Sequence, residues 1–366
     1  MRTAWSILKY VIITIIALTV ILAAAGATYV TWQKSRLRSE LRITAPEGIQ
    51  AVEQVKLGGL DQWIYIRSED QSNPVMLFLH GGPGSPEAPP VTLHNTGLEE
   101  HFVVVNWDQR GAGKSYRRNI PAETMNLEQF IQDALELSEM LIDRFGVEKI
   151  YLVGHSWGTI VGTHAAERRP DLFHAYIGIG QAVDFIEAEK ISYRFTLDRA
   201  KETGNTQAIA ELEAIGPPPY NPEDFQESIG IQRKWLFKFG GEAYGKTNRP
   251  AYERQIITEV LFFPDYTLFD TYRFLAGNLS SFKLLLDDLL AVDFVNQVPG
   301  LEVPVYFIAG RYDYVTVSEM VELYYEILDA PQKELIWFEY SAHSPNFEEP
   351  ELFIQTMAEI LAQTHP

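Results

Sequence analysis

Apolar runs too short to be globular helices, set between segments of helical period, restrict this chain more than any other feature. VMLFLH (75–80), FVVVNW (102–107), KIYLVG (149–154) and AYIGIG (175–180) are continuous rather than alternating, so each must be buried on both faces. LEQFIQDALELSEMLIDRFG (127–146) and TIVGTHAAERR (159–169) between them read as helices. Strand, helix, strand in that order implies βαβ units and a largely parallel sheet covered by helices. The pattern stops at about 184. From there to about 295 the chain is helical, aromatic and charged, broken by GPPPYNP (216–222) and FGGEAYG (239–245), with no clear buried strand. It resumes with VPVYFIAG (303–310), a helix over VSEMVELYYEILD, KELIWFEY (333–340) and a last helix over about 350–363. The expectation is one α/β core, residues 39–183 and 296–366, with residues 184–295 inserted as a helical cap over the sheet's C-terminal edge, where such folds place their sites.

The N-terminus is a separate problem. No charged residue lies between Lys9 and Lys34, and the 21 residues Tyr10 to Val30 span roughly 31 Å as a helix, the thickness of a bilayer core. A cleaved signal peptide is the rival, because Ala25-Gly26-Ala27 fits a small-x-small cleavage site. The run is longer than the usual apolar region of such peptides, and Tyr29 and Trp32 suit the membrane interface, so a single-pass anchor in residues 1–38 is expected. Residues 34–48 then form a connector, and the catalytic domain lies outside the cytoplasm; secretion after cleavage is the alternative. Charge bears on partners. The chain carries −19 overall, and residues 1–38 hold five basic residues and no acid, leaving 25 basic against 49 acidic side chains in the remainder. Such a surface repels phosphate backbones, so nucleic acid is not an expected partner. The absence of cysteine excludes disulfides, thiolate metal sites and cysteine nucleophiles.

Gly154-His155-Ser156-Trp157-Gly158 fits G-x-S-x-G, in which a serine on a tight strand-to-helix turn needs small neighbours; the flanking strand and helix supply the required setting. A serine hydroxyl needs a base, and the fold orders its partners as acid, then histidine, later in the chain. Asp313 follows the strand VYFIA and His343 follows ELIWFEY, so both stand at C-terminal strand ends. In this reading Asp313 fixes the tautomer of His343, which takes the proton from Ser156. His80-Gly81-Gly82-Pro83-Gly84 follows VMLFL, and the backbone N–H groups of Gly82 and Trp157 are the candidate oxyanion donors. Asp108-Gln109-Arg110-Gly111-Ala112-Gly113-Lys114-Ser115 ends like a phosphate loop, but aspartate stands where the first glycine is required, so nucleotide binding is set aside and Asp108 and Arg110 are expected to pair with each other. Serine at the elbow disfavours an aspartate-nucleophile dehalogenase or epoxide hydrolase.

HGGPG, WDQRGAGKS, GHSWGT, GRYD and SAHS, in this order and spacing, resemble the proline iminopeptidases of the α/β-hydrolase superfamily over residues 60–182 and 300–363. The resemblance implies release of an N-terminal residue, often proline, from short peptides through an acyl-enzyme on Ser156, with no metal or cofactor. It also implies lid glutamates that hold the substrate's free amine. One belongs to a W-x-x-W-E-G stretch, whose place is taken here by Trp235–Gly240 without a glutamate; the other corresponds to Glu259 in EVLFF. Either Glu242 compensates, or the specificity has moved to esters and amides lacking a free amine. A slow-turnover ligand-sensing module that keeps the same three residues is a more remote reading. Acyl preference and oligomeric state are not legible.

Overall fold

The computed structural model describes residues 2–221 and 223–365. Its centre is an eight-stranded sheet of β1 (Ile49–Leu57), β2 (Leu60–Ser68), β3 (Val75–Leu79), β4 (Val103–Asp108), β5 (Ile150–His155), β6 (Phe173–Ile179), β7 (Val305–Gly310) and β8 (Lys333–Phe338). The strand order is β1-β2-β4-β3-β5-β6-β7-β8. β1 and β2 pair antiparallel, β2 joins β4 antiparallel, and all other neighbours are parallel. This is the expected α/β-hydrolase sheet.

The continuous apolar runs have the expected cause. Along β3, Val75, Leu77 and Leu79 enter one core layer with Leu152 and Phe307, while Met76 and Phe78 enter the opposite layer with Val153, Ile177 and Ile308. The helices outside the insertion are α1 (Arg2–Glu40), α2 (Ala88–His94), α3 (Leu127–Phe145) and α4 (Trp157–Arg168), then, after it, α12 (Ser318–Ile327), α13 (Pro345–Glu348) and α14 (Pro350–Thr364). α3 begins where the Asn126 side chain accepts from the Gln129 N–H, and ends at Gly146, whose φ of 63° suits a residue without Cβ.

Between β6 and β7 the chain is helical: α5 (Phe185–Glu202), α6 (Thr206–Ile215), α7 (Phe225–Lys238), α8 (Arg249–Phe262), α9 (Leu268–Leu284), α10 (Leu286–Leu290) and α11 (Phe294–Gln297). α9 approaches the loops after β3 and β4 closely. A Cβ on Gly84 would lie 2.8 Å from the Gly277 carbonyl oxygen, and one on Gly277 would lie 2.5 Å from that of Gly111.

One sequence expectation needs revision, and two features go beyond what was expected. The β1–β2 hairpin is not among the expected strands. Asp108 and Arg110 do not pair: Arg110 donates to both oxygens of Asp133 at 2.9 and 3.0 Å, while Asp108 accepts from Tyr65, Tyr266 and the Lys114 N–H. The β2–β4 pairing turns Arg110 towards α3 and leaves Asp108 under the turn into α9. The connector begins inside α1, which continues to Glu40 and docks on the insertion. Lys34 and Arg38 donate to the carbonyls of Tyr266 and Pro264, and the Tyr29 ring meets Phe262 edge-on at 5.8 Å. The stretch before these contacts is long and apolar enough to cross a membrane, and none of its most apolar window is buried.

Candidate active site

Four loops at the C-terminal ends of β3, β5, β7 and β8 meet at one point. Ser156, between β5 and α4, has φ 51° and ψ −117°, a conformation costly for a side-chain-bearing residue. It exists because the flanks are glycines: a Cβ on Gly154 would lie 2.5 Å from the Gly158 carbonyl oxygen, and one on Gly158 would lie 2.0 Å from that of Leu79. The turn lifts the Ser156 hydroxyl 3.0 Å from His343 Nε2. His343 Nδ1 lies 3.0 Å from Asp313 Oδ2. Asp313 is almost fully buried and also accepts from the N–H groups of Val315 and Thr316 on Oδ1 and from the Thr316 hydroxyl on Oδ2. Burial alone would raise its pKa, but His343 and these donors hold it below the usual carboxylate value. The three expected residues thus form one hydrogen-bonded line.

Gly82 and Trp157 line the cavity that opens on Ser156. Gly82 has φ 115°, and a Cβ there would lie 2.7 Å from the N atoms of Gly84 and Ser85. Neither N–H has a backbone acceptor among the described residues. Both loops are tied to Gln109, a residue the sequence reading passed over. Its side chain accepts from the Trp157 indole N–H at 3.1 Å and donates to the His80 carbonyl at 3.0 Å, while its own N–H donates to His80 Nε2. Burial lowers the His80 pKa to about 4, so the ring is neutral; with Nε2 accepting, Nδ1 carries the proton and donates to the Gly81 carbonyl.

A second tie lies behind His343. His155 is buried with Nδ1 2.6 Å from Glu87 Oε1 and Nε2 3.0 Å from the His343 carbonyl oxygen. Burial opposes charge on this ring, yet the Glu87 carboxylate outweighs it and raises the pKa. Two acceptors thus face the two ring nitrogens. Glu348 accepts from the N–H groups of Ala342 and Ser344 on either side of His343, and burial raises its pKa. No short motif announces Glu87 or Glu348.

The cavity at Ser156, about 490 Å³, is lined by Ile160, Val183, Phe185, Ile229, Leu279 and Phe282, with Arg233 and Arg249 as its cations. A neighbouring cavity of about 500 Å³ holds Glu87, Glu259 and Glu348 with His94 and His155; Asn278 lines both. Glu259 therefore lies on the far side of Asn278 from the serine's cavity, accepting from Gln255 and 3.2 Å from His94 Nε2. Glu242 lies closer to the serine's base: its carbonyl accepts from the His343 N–H at 3.3 Å, and its carboxylate is 4.0 Å from Arg249 with Oε2 buried and without a hydrogen bond. Burial raises its pKa against the pull of Arg249 and Arg233. Trp235–Gly240 closes α7, where Trp235, Leu236 and Phe237 are core residues.

Comparison with known proteins agrees with this architecture. Residues 74–206 match the alpha/beta hydrolase fold family. The chain is 35% identical over 319 residues to a probable aminopeptidase, YbaC, of Bacillus subtilis, covering 86% of this chain and 98% of that one. It is 24% identical over 302 residues to the proline iminopeptidase of Heyndrickxia coagulans, covering 78% and 90%. A solved proline iminopeptidase-related protein, TTHA1809 of Thermus thermophilus, superposes with a TM-score of 0.59 at 20% identity over 86% of this chain and 98% of its own, a likeness of fold. The chain is a hydrolase and belongs to the proline iminopeptidase family of the α/β-hydrolase superfamily.

Proposed function

We propose that this protein is a membrane-anchored serine aminopeptidase that releases the N-terminal residue of short peptides through an acyl-enzyme. The observation that carries the chemistry is the unbroken line from Ser156 Oγ through His343 to Asp313, both steps at 3.0 Å, on an elbow held at positive φ. His343 Nε2 takes the hydroxyl proton as Oγ attacks the carbonyl carbon of the first residue, and Asp313 stabilises the imidazolium. The N–H groups of Gly82 and Trp157 receive the oxyanion, the latter at the N-terminus of α4 where the helix dipole favours negative charge. The proton passes from His343 to the leaving peptide nitrogen as the C–N bond breaks. Water, deprotonated by the same ring, then cleaves the ester on Ser156 and regenerates the hydroxyl.

The charge beside Ser156 supports a substrate with a free amine. An acid-lined cavity adjoins the serine's own and suits an ammonium end, while the arginines of the serine's cavity are already paired, Arg233 with Glu189 and Arg249 with Glu253. Glu242 and Glu259 are the carboxylates assigned to the ammonium. A second reading, an esterase or amidase for small acyl substrates, has its own observation: aliphatic and aromatic side chains dominate the walls beside Ser156, which suits an acyl chain. The anchor assignment rests on the exposed apolar run of α1, and the domain outside the cytoplasm is part of the proposal.

Steady-state hydrolysis of prolyl and alanyl arylamides, their N-acetyl forms and p-nitrophenyl esters by the full chain in detergent separates these readings, with Ser156→Ala as control. Cleavage confined to unblocked arylamides and lost in the variant is expected. Ester cleavage without arylamide cleavage would move the assignment to the second reading, and full activity in Ser156→Ala would end both.

A further inference from the structure

α9 is built inside out. Its buried positions are Asp270, Gly277 and Ser281, small or polar residues, while large apolar side chains face away from the protein. Leu268 is 59% exposed, Phe269 58%, Tyr272 40%, Leu275 44% and Leu279 73%. Leu268, Tyr272, Leu275 and Leu279 recur at i, i+4, i+7 and i+11, which places them in one stripe along the helix. The small inner face is explained by the close approach of Gly277 to the Gly111 carbonyl and of Ser281 to Gly84. Arg118 meets the outer face at Tyr272, and Leu275 and Leu279 also reach the two cavities, but the face stays largely exposed, and as a soluble surface it is unfavourable.

What covers it is indicated by α1. The turn between α8 and α9 is fastened to the end of the apolar run at three points: the Tyr29 ring on Phe262, Lys34 on the Tyr266 carbonyl and Arg38 on the Pro264 carbonyl. Tyr29 is one residue short of the end of that run, and Lys34, four residues past it, holds the Tyr266 carbonyl just before α9, so the first turn of α9 stands at the interfacial level just outside the hydrocarbon. Two bases border the stripe although the chain is acidic overall. Arg118 donates to the Tyr272 hydroxyl at 2.7 Å and lies over its ring, and Arg273, paired with Asp270, lies over Phe269.

We propose that α9 lies in the plane of the bilayer interface with its Leu268–Leu279 stripe in the lipid, and that the cavity at Ser156 opens there. Leu279 belongs to both features: it ends the stripe and lines that cavity. From Leu268 to Leu279 the helix advances about 16 Å, a length that stays in contact with lipid only if α9 runs along the surface rather than away from it. The flanking arginines match anionic headgroups. The inference rests on the anchor reading of α1, and it makes the bilayer a wall of the substrate's approach.

The chain has no cysteine, so single reporters can be placed in the intact protein. Leu275→Cys, Leu279→Cys and, as control, Leu323→Cys on α12, as exposed as Leu275, are labelled with an environment-sensitive fluorophore. Each is then reconstituted in phosphatidylcholine–phosphatidylglycerol vesicles with or without nitroxide-labelled lipid. Unchanged thermal unfolding shows that each variant is folded. The expected result is a blue-shifted emission quenched several-fold by nitroxide lipid at 275 and 279, and neither effect at 323. Co-flotation with quenching at 275 and 279 no greater than at 323 would overturn the proposal while leaving the anchor intact. A concentration-dependent blue shift insensitive to nitroxide lipid would overturn it in favour of a second copy of the chain on the stripe. Failure to float would remove the anchor and the seat together, with hydrolysis of the soluble substrates read independently.

Discussion

Replacing Asp313 by asparagine changes one atom and inverts the base. All four contacts of this carboxylate are with donors: Val315 N–H and Thr316 N–H on Oδ1, the Thr316 hydroxyl and His343 Nδ1 on Oδ2. An asparagine must keep its carbonyl oxygen towards the two backbone N–H groups, because an NH2 there would face two fixed donors. Its NH2 therefore faces Thr316 and His343. The threonine hydroxyl can rotate to accept, whereas His343 can accept on Nδ1 only by moving its proton to Nε2. That nitrogen lies 3.0 Å from Ser156 Oγ and, once protonated, no longer accepts the hydroxyl proton. The expected loss in kcat is about ten-thousand-fold, equivalent to about 5 kcal/mol in the barrier, as for wrong-tautomer variants of serine hydrolases. The pocket keeps its shape, so KM should change by no more than a few-fold. The assay is hydrolysis of whichever substrate the parent accepts, with the rate of fluorophosphonate labelling of Ser156 as a second readout and thermal unfolding as the folding control. An Asn variant within tenfold of the parent in both kcat and labelling rate would refute the tautomer argument.

Two further outcomes concern charge. The pKa of His155 is raised in the folded protein, so the Glu87–His155 pair contributes stability that is fully present below the unfolded value of about 6.5 and is lost as pH rises through the folded one. Glu87→Gln should cost about 1–3 kcal/mol at pH 6, less at pH 9, as read by urea unfolding at both values; an equal cost at both would show that the pair is not charged. The pKa of Asp108 is raised to about 7 by burial, against hydrogen bonds from Lys114 N–H, Tyr266 and Tyr65. For an acid this sign means that the native state loses stability as pH climbs from about 4 to about 7, by about 4 kcal/mol in total. Asn at 108 keeps an acceptor for the three donors and does not ionise, so the stability of Asp108→Asn relative to the parent should rise by that order between pH 4 and 8, and parallel pH profiles would contradict it.

What the sequence reveals here follows from distance along the chain. Ser156, Asp313 and His343 each sit one turn beyond a strand that is continuous and apolar, and the chemistry of the turn is written within six residues. The strands β3 to β8 were legible for the same reason. β1 and β2 were not, although Gly58-Gly59, with φ 50° and 79°, is a two-residue hairpin signal between runs that alternate in polarity. The signal is present; the runs carry Gln50, Glu53, Gln54, Lys56, Asp61, Gln62 and Arg67, which break the continuous apolar pattern that marks β3 to β7. Partners chosen by packing leave no such trace. Arg110 meets Asp133 rather than Asp108, and Glu87 meets His155 across 68 residues. Gln109 joins two loops that are remote in the chain, and Glu259 falls in one cavity rather than its neighbour.

The variable position before the serine makes the same point in chemical terms. In G-x-S-x-G the first x is His155, and the motif places no demand on it. In the folded protein its ring bridges Glu87 to the carbonyl of His343, so the acid that holds the loop after β3 and the base that serves the serine share one buried imidazole. Glu87 Oε1 also accepts from the Gly81 N–H, next to the proposed oxyanion donor at Gly82. Through His155 and Glu87 the base and an oxyanion loop are therefore fixed relative to each other without passing through Ser156. The elbow is free to hold the serine in its strained geometry while the groups that must act on it are set by a separate network.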